Sequence, residues 1–227
     1  MTVCLEALGP EPGRPYVERA KPEHPSLVDT GHLVDELFGV TNIPNSVWID
    51  EEGMIVRPAE PAWPAVRERR EAPAPPPDLP QRTADMMVEA SKIVSDAAAY
   101  LEALHDWVEK GAESRFALSA DEVIARSQPR RPDEAAAAAH FELGRHLHIS
   151  GDLDGARGHF REAHRLQPNN WTYRRQAWSM EPGGEGPMAR FWQGPRPDAE
   201  DDWPYDGDWV SDTKAIGAEN YYPRFQP

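Results

Sequence analysis

The spacing of apolar positions changes several times along the first third of the chain. Thr2-Val-Cys-Leu-Glu-Ala-Leu8 is a short apolar run stopped by Gly9-Pro10, the pattern of a buried strand bounded by turn residues. Pro15 opens a short helix through Tyr16 to Ala20, and His24-Pro-Ser-Leu-Val-Asp29 reads as a second extended piece. In His32-Leu-Val-Asp-Glu-Leu-Phe38 the period becomes helical, with Leu33, Leu37 and Phe38 on one face and Gly39 at the C-terminal cap. Two apolar runs, ending at Ile49 and beginning at Met54, flank Asp50-Glu-Glu-Gly53, which predicts a β-hairpin. Pro44 stands just before the first of these strands, where a missing amide donor breaks no ladder bond and where cis peptide bonds often shape tight turns. Pro58 is expected to end the second strand.

From Pro58 to Pro80 the prolines are dense enough to favour extended polyproline geometry over a packed core. The boundaries that follow are a first domain over 1–64, a linker over 65–82, a helical domain over 83–180 and a tail over 181–227. Met87, Ala90, Val94, Ala97, Leu101, Leu104 and Val108 recur at spacings of three and four, which predicts one long amphipathic helix from Thr83 to Lys110, closed by Gly111. Ser119 with Glu122 three positions later is a capping box for a short helix that stops before Pro129. Another helix begins near Pro132, with Asp133 and Glu134 in its first turn at the positive end of the dipole.

Composition narrows the function classes. The chain has 227 residues and a formal net charge of −15, from 39 acidic and 24 basic residues, so its averaged field repels nucleic acid. Cys4 is the one cysteine, which excludes an internal disulfide and a four-thiolate metal site. Mid-strand in an apolar run, it reads as a small buried hydrophobe rather than a nucleophile. No apolar run approaches the ~20 residues of a membrane span, and the start lacks a basic leader and cleavage signal, so a soluble, cytoplasmic protein is expected.

His140, His146, His148, His159 and His164 crowd one stretch, but positions 146 and 148 point to different sides of a helix and 159 and 164 are also poorly spaced for a shared ligand. Packing or surface roles are expected, with no metal and no cofactor. The tail carries Phe191, Trp192, Trp203, Tyr205, Trp209, Tyr221, Tyr222 and Phe225 among acidic residues. So many rings are unusual for plain disorder and predict a strap that buries them one at a time, the alternative being a flexible partner-binding tail.

Two resemblances add to this reading. Pro132 to Asn170, with Leu143-Gly144, Gly151, Ala156, Phe160, Ala163 and Pro168 in register, resembles a tetratricopeptide repeat, a helical hairpin of about 34 residues. Gly144 and Ala156 would let the helices approach, Phe160 would fill the groove and Pro168 would stop the second helix. The family's aromatic in the first helix is absent, and flanking helices must cover a single repeat.

Phe38-Gly-Val40 through Ile43-Pro44, Val47-Trp-Ile-Asp50, Glu52-Gly53 and Ile55-Val56 resemble the second half of a thioredoxin-like domain of the TlpA/ResA or redoxin (AhpC/TSA) type. The resemblance implies an α/β fold, an incomplete thioredoxin-like sheet with helices, followed by an all-α tetratricopeptide-like domain. In that family the equivalent proline is cis and the residue before it offers its backbone to the substrate polypeptide. Carried over, Ile43 and Pro44, with Asn42 beside them, form a substrate-binding turn.

The implied activity is that of a thiol–disulfide oxidoreductase or peroxide-reducing protein acting on a thiol or disulfide substrate, in some relatives through a WAxxUGxxC motif in which U is selenocysteine. That motif, or a CxxC, lies upstream of the strand beginning at Thr2, so Met1 is expected to be an internal start and the chain as written to be redox-inactive. The alternative is a non-enzymatic adaptor that binds a protein through the helical hairpin and aromatic tail.

Overall fold

The computed structural model describes residues 1–66, 75–182, 193–195 and 203–227. Residues 67–74 of the expected linker and the two rings of Phe191 and Trp192 lie outside the described residues. The chain divides into two compact units: Met1–Leu37 with Arg130–Asp208, and Phe38–Pro129 with Trp209–Pro227. The expected 1–64 domain is therefore cut after Leu37. Its early strands build on the helices around residues 130–180, and its hairpin builds on residues 81–126 and the C-terminal segment.

In the first unit, β1 (Thr2–Leu5) and β2 (Ser26–Asp29) pair in parallel, with α1 (Arg14–Ala20) between them. Among the described residues the pair has no third strand, since β3 and β4 form a separate two-stranded sheet. Gln176 ties the end of β1 to the helices by accepting from the Ala7 amide at 2.8 Å.

The turn into α2 (Leu33–Phe38) is held by Asp29, whose carboxylate accepts from the amides of Gly31 and Val34. His32 sits in the left-handed region at φ 57°, and it and Asp35 are the buried residues here, joined Nδ1 to Oδ2 at 2.9 Å. The apolar face expected to seek the core is turned outward, with Leu33 exposed and Leu37 75% exposed. A capped entry that commits His32 and Asp35 to the interior, with the His32 ring 4.9 Å from Phe141, fixes the helix rotation against its own apolar periodicity.

The helical hairpin is present as α6 (Pro132–Ile149) and α7 (Leu153–Leu166), with α8 (Trp171–Ser179) following. Asp152 caps α7 by accepting from Gly155 N–H, and Asn170 caps α8 through Tyr173 N–H. Phe141 stacks on Tyr173 at 4.5 Å, Phe160 lies 5.6 Å from Phe141, and Ala137, Ala156, Ala163 and Ala177 are fully enclosed. At Gly144 a Cβ would lie 2.7 Å from two ring carbons of Phe160, so the close approach of these helices requires glycine. Of the tail rings, Trp203 and Tyr205 pack here, against Trp178 and His164, and Tyr205 donates to Glu181 at 3.0 Å.

In the second unit β3 (Asn45–Ile49) and β4 (Ile55–Pro61) form the expected antiparallel hairpin. The Asp50 carboxylate accepts from the amides of Glu52 and Met54, and Gly53 adopts φ 82°. Pro58 does not end the strand. The ladder is irregular between Ser46 and Trp48, so Pro58 and Ala59 pass where no donor is required and pairing resumes through Pro61.

The expected single helix from Thr83 is two: α3 (Gln81–Lys92) and α4 (Ala97–Lys110). The inward face of α4 carries Ala97, buried, and Leu101 and Leu104, packed against the core, as expected, but Tyr100 and Ala103 are its most enclosed residues and Val108 is 73% exposed. The break places Asp96 at the head of α4 with its carboxylate toward the C-terminal segment, where it accepts from Phe225 N–H at 2.8 Å. Residues α5 (Ala120–Arg126) and α9 (Trp209–Ile216) complete the unit, α5 with both bonds of the capping box. Trp48 is the centre of the core, stacked on Trp107 at 5.0 Å and packed with Tyr100, Phe116 and Ala62. No helix among the described residues is long and apolar enough to cross a membrane.

Two outcomes are expected. Gly144→Ala should lose about 1–3 kcal/mol through overpacking, despite the ~1 kcal/mol that alanine ordinarily gains over glycine inside a helix, and Phe160→Leu in the same chain should recover part of it, as read by urea unfolding. Burial, with Arg174 adding to it, holds the His164 imidazole down to about 3 from 6.5. Between those values the unfolded chain takes up a proton that the folded chain refuses, so stability is kept above pH 6.5 and falls as pH drops toward 3. His164→Leu should flatten that slope by up to about 1.4 kcal/mol per pH unit, and equal slopes for both proteins would refute it.

Candidate functional site

The expected substrate turn lies in the second unit, between Gly39 and β3. The Ile43–Pro44 peptide bond is cis. Asn42, 5% exposed, braces the turn from inside: its Oδ1 accepts from Ile43 N–H at 2.9 Å and its Nδ2 donates to the Tyr221 carbonyl at 2.9 Å. The Ile43 side chain is 39% exposed, and its carbonyl accepts from the Tyr222 hydroxyl at 3.0 Å. Pro44 is exposed, and its carbonyl accepts from Ala62 N–H at 3.2 Å, closing the hairpin just above the last β4 residue. The structure thus brings Asn42, Ile43 and Pro44 together at the open end of a two-stranded sheet.

A cleft of about 260 Å³ adjoins the turn, lined by Thr41, Asn42, Asn45, Glu60, Arg126 and Arg224 among others. Arg126 donates to the Gln226 carbonyl at 3.2 Å, and Arg224 pairs with Asp96 at 2.8 Å. Its far wall is the C-terminal segment itself. Tyr222 packs edge-on against Trp63 at 5.8 Å and Phe225 against Tyr100 at 6.1 Å. These rings take the strap form expected of the tail aromatics.

Sequence reasoning passed over the residue that fixes this wall. Arg57, 0% exposed, donates to both Glu60 oxygens, at 2.7 and 3.0 Å, to the Phe116 carbonyl at 2.9 Å and to the Gln226 carbonyl. Its guanidinium lies over Trp48 at 5.2 Å and over Phe225 at 4.9 Å. The available signal was a lone arginine alternating with Ile55 and Val56 on a strand whose opposite rung is tryptophan.

The described residues of the cleft offer amide, carbonyl and guanidinium groups, and the one carboxylate among those named, Glu60, is committed to Arg57. Cys4 lies in the other unit, half-buried rather than fully buried as expected, and burial first and the Glu6 charge second push its thiol up, away from the reactive thiolate. His140 and His159 meet across the α6–α7 hairpin, Nδ1 to Nδ1 at 2.8 Å, and His148 bonds the Met180 carbonyl. Among the described residues no group of three or more His, Cys, Asp or Glu is arranged to hold a metal ion. No family model, curated protein or solved structure matches this chain.

Removing Arg57 leaves Glu60 nearly buried without its partner. Arg57→Met is expected to cost about 3–5 kcal/mol, and Glu60→Gln added to it should cost little more, because the two act as one unit. A denaturation series read by Trp48 fluorescence measures both, and additive losses would overturn the coupling.

Proposed function

We propose that this chain is a polypeptide-recognising protein of the thioredoxin-like redox type, of thiol–disulfide oxidoreductase or peroxide-reducing class, and that, lacking a redox motif in its sequence, it carries out no redox chemistry. The observation that carries the reading is the placement of Ile43 and Pro44: exposed, at the open end of the β3–β4 hairpin, beside a polar cleft. A turn so placed can present main-chain groups to an extended substrate, as the residue before the equivalent proline does in the resembled family. Cys4 is unsuited to be the nucleophile, since it is mid-strand and its thiol stays protonated at neutral pH.

A non-enzymatic adaptor is the second reading, favoured by one observation. Both hydrogen-bonding groups of Ile43 are engaged within the chain, by Asn42 and by Tyr222. In that case the hairpin is scaffold and binding belongs to the helices of residues 130–180.

Titrating the isotopically labelled full chain with an extended peptide bearing an S-thiolated cysteine separates the two. Chemical-shift changes at residues 40–45 and 60–62 are expected, and changes confined to 130–180 would favour the adaptor. In dithiothreitol-driven reduction of a protein disulfide the chain should add no turnover, and turnover abolished by Cys4→Ser would overturn the reading of that thiol.

A further inference from the structure

The C-terminal segment is bound to its own unit in two different ways. From Arg224 to Gln226 it is anchored: Phe225 N–H donates to Asp96, Arg224 pairs with Asp96, and Phe225 and the Gln226 carbonyl complete the surroundings of buried Arg57. At Tyr221 and Tyr222 it does something else. The Tyr221 carbonyl takes a donor of Asn42, and the Tyr222 hydroxyl takes the Ile43 carbonyl.

These are the polar groups flanking the exposed Ile43–Pro44 turn, and they are satisfied by a side-chain tip and a single carbonyl rather than by a strand ladder. The exposed Tyr222–Ile43 bond contributes little net stability, since water competes for both partners, whereas the Asn42–Tyr221 bond is buried. An extended peptide that supplies one N–H to the Ile43 carbonyl replaces the Tyr222 hydroxyl, an exposed group that water then satisfies. Tyr222 is half-buried and its hydroxyl bond is an exposed one, whereas Arg57 is fully enclosed.

We propose that Tyr222 is a built-in competitor for the Ile43–Pro44 edge. Its hydroxyl occupies the Ile43 carbonyl that an incoming extended polypeptide takes, and it yields that carbonyl by movement of the Tyr222 side chain while buried Tyr221 stays in place and Phe225 and Gln226 stay anchored on Arg57. The inference rests on the reading of Asn42, Ile43 and Pro44 as a polypeptide-binding turn, and it adds that the free site is self-occupied.

The test compares the full chain with Tyr222→Phe, which deletes the hydroxyl alone, and with Tyr222→Ala, which also removes the ring from Trp63. Affinity for the same S-thiolated extended peptide is followed through the shifts of residues 40–45. Tyr222→Phe should bind about three- to ten-fold more tightly than the unaltered chain, and Tyr222→Ala more tightly still. Hydrogen exchange at Phe225 N–H should be unchanged, which marks the anchor as intact in both variants. Equal affinity in all three proteins, with shifts at residues 40–45, overturns the competitor while leaving the binding turn standing. No shift at those residues in any of the three removes the binding turn itself, and the competitor with it.

Discussion

The guanidinium of Arg57 is the constraint on which the unit of residues 38–129 and 209–227 is built. A buried cation is costly unless every donor has an acceptor, and here Glu60, the Phe116 carbonyl and the Gln226 carbonyl supply them. Trp48 and Phe225 close the two faces of the plane. One side chain therefore links three stretches distant in sequence: the hairpin, the loop after α4 and the end of the chain. Lysine could not substitute, since a point charge has neither the fork for Glu60 nor a flat face for two rings. The strap's register follows. With Phe225 fixed on Arg57 and its amide on Asp96, Tyr222 falls opposite Ile43 and Tyr221 opposite Asn42.

The other unit solves its packing by different means. Its centre is aromatic and alanine-rich, and closeness rather than charge organises it: Gly144 admits the Phe160 ring, and enclosed alanines let the helices meet. Polar groups enter only where a local geometry compels them. The Asp29 cap turns His32 and Asp35 inward, where His32 Nδ1 and Asp35 Oδ2 meet at 2.9 Å, and the apolar side of α2 is left facing solvent. Leu27 and Val28 on β2 are similarly exposed, one on each face of the strand, so neither face of β2 is fully covered.

Local signals in the sequence were legible and distant ones were not. Asp50 through Gly53 encodes its turn in four adjacent residues, Ser119 and Glu122 encode a cap, and the small and large positions of residues 132–170 encode a hairpin, so each was readable without knowing the rest of the chain. The break between α3 and α4 was not, because apolar spacing runs on through Ile93 while the reason for the break, an acceptor for Phe225 N–H, lies 129 residues away. Pro58 misled for a related reason: the ladder bulges around it, and a bulge is a property of the pair of strands. At the candidate site the turn at Pro44 was legible from its local pattern, and Asn42 and Ile43 were named through the resemblance. Arg57, Asp96 and Tyr222 were missed, each acting through a partner that only the folded chain brings near.

The charge of the whole chain also says less about this cleft than its sign suggests. A formal net charge of −15 opposes polyanions on average, and a screening length of about 8–10 Å confines what any group feels to its neighbours. Locally the charges cancel in pairs: Glu60 with Arg57, and Asp96 with Arg224. Arg126 lies one turn from Glu122, whose carboxyl it helps hold low after the larger effect of Ser119. What remains is a nearly neutral surface of oriented donors and acceptors. Such a surface discriminates by hydrogen-bond geometry more than by net charge, which is the property that the proposed main-chain complement requires.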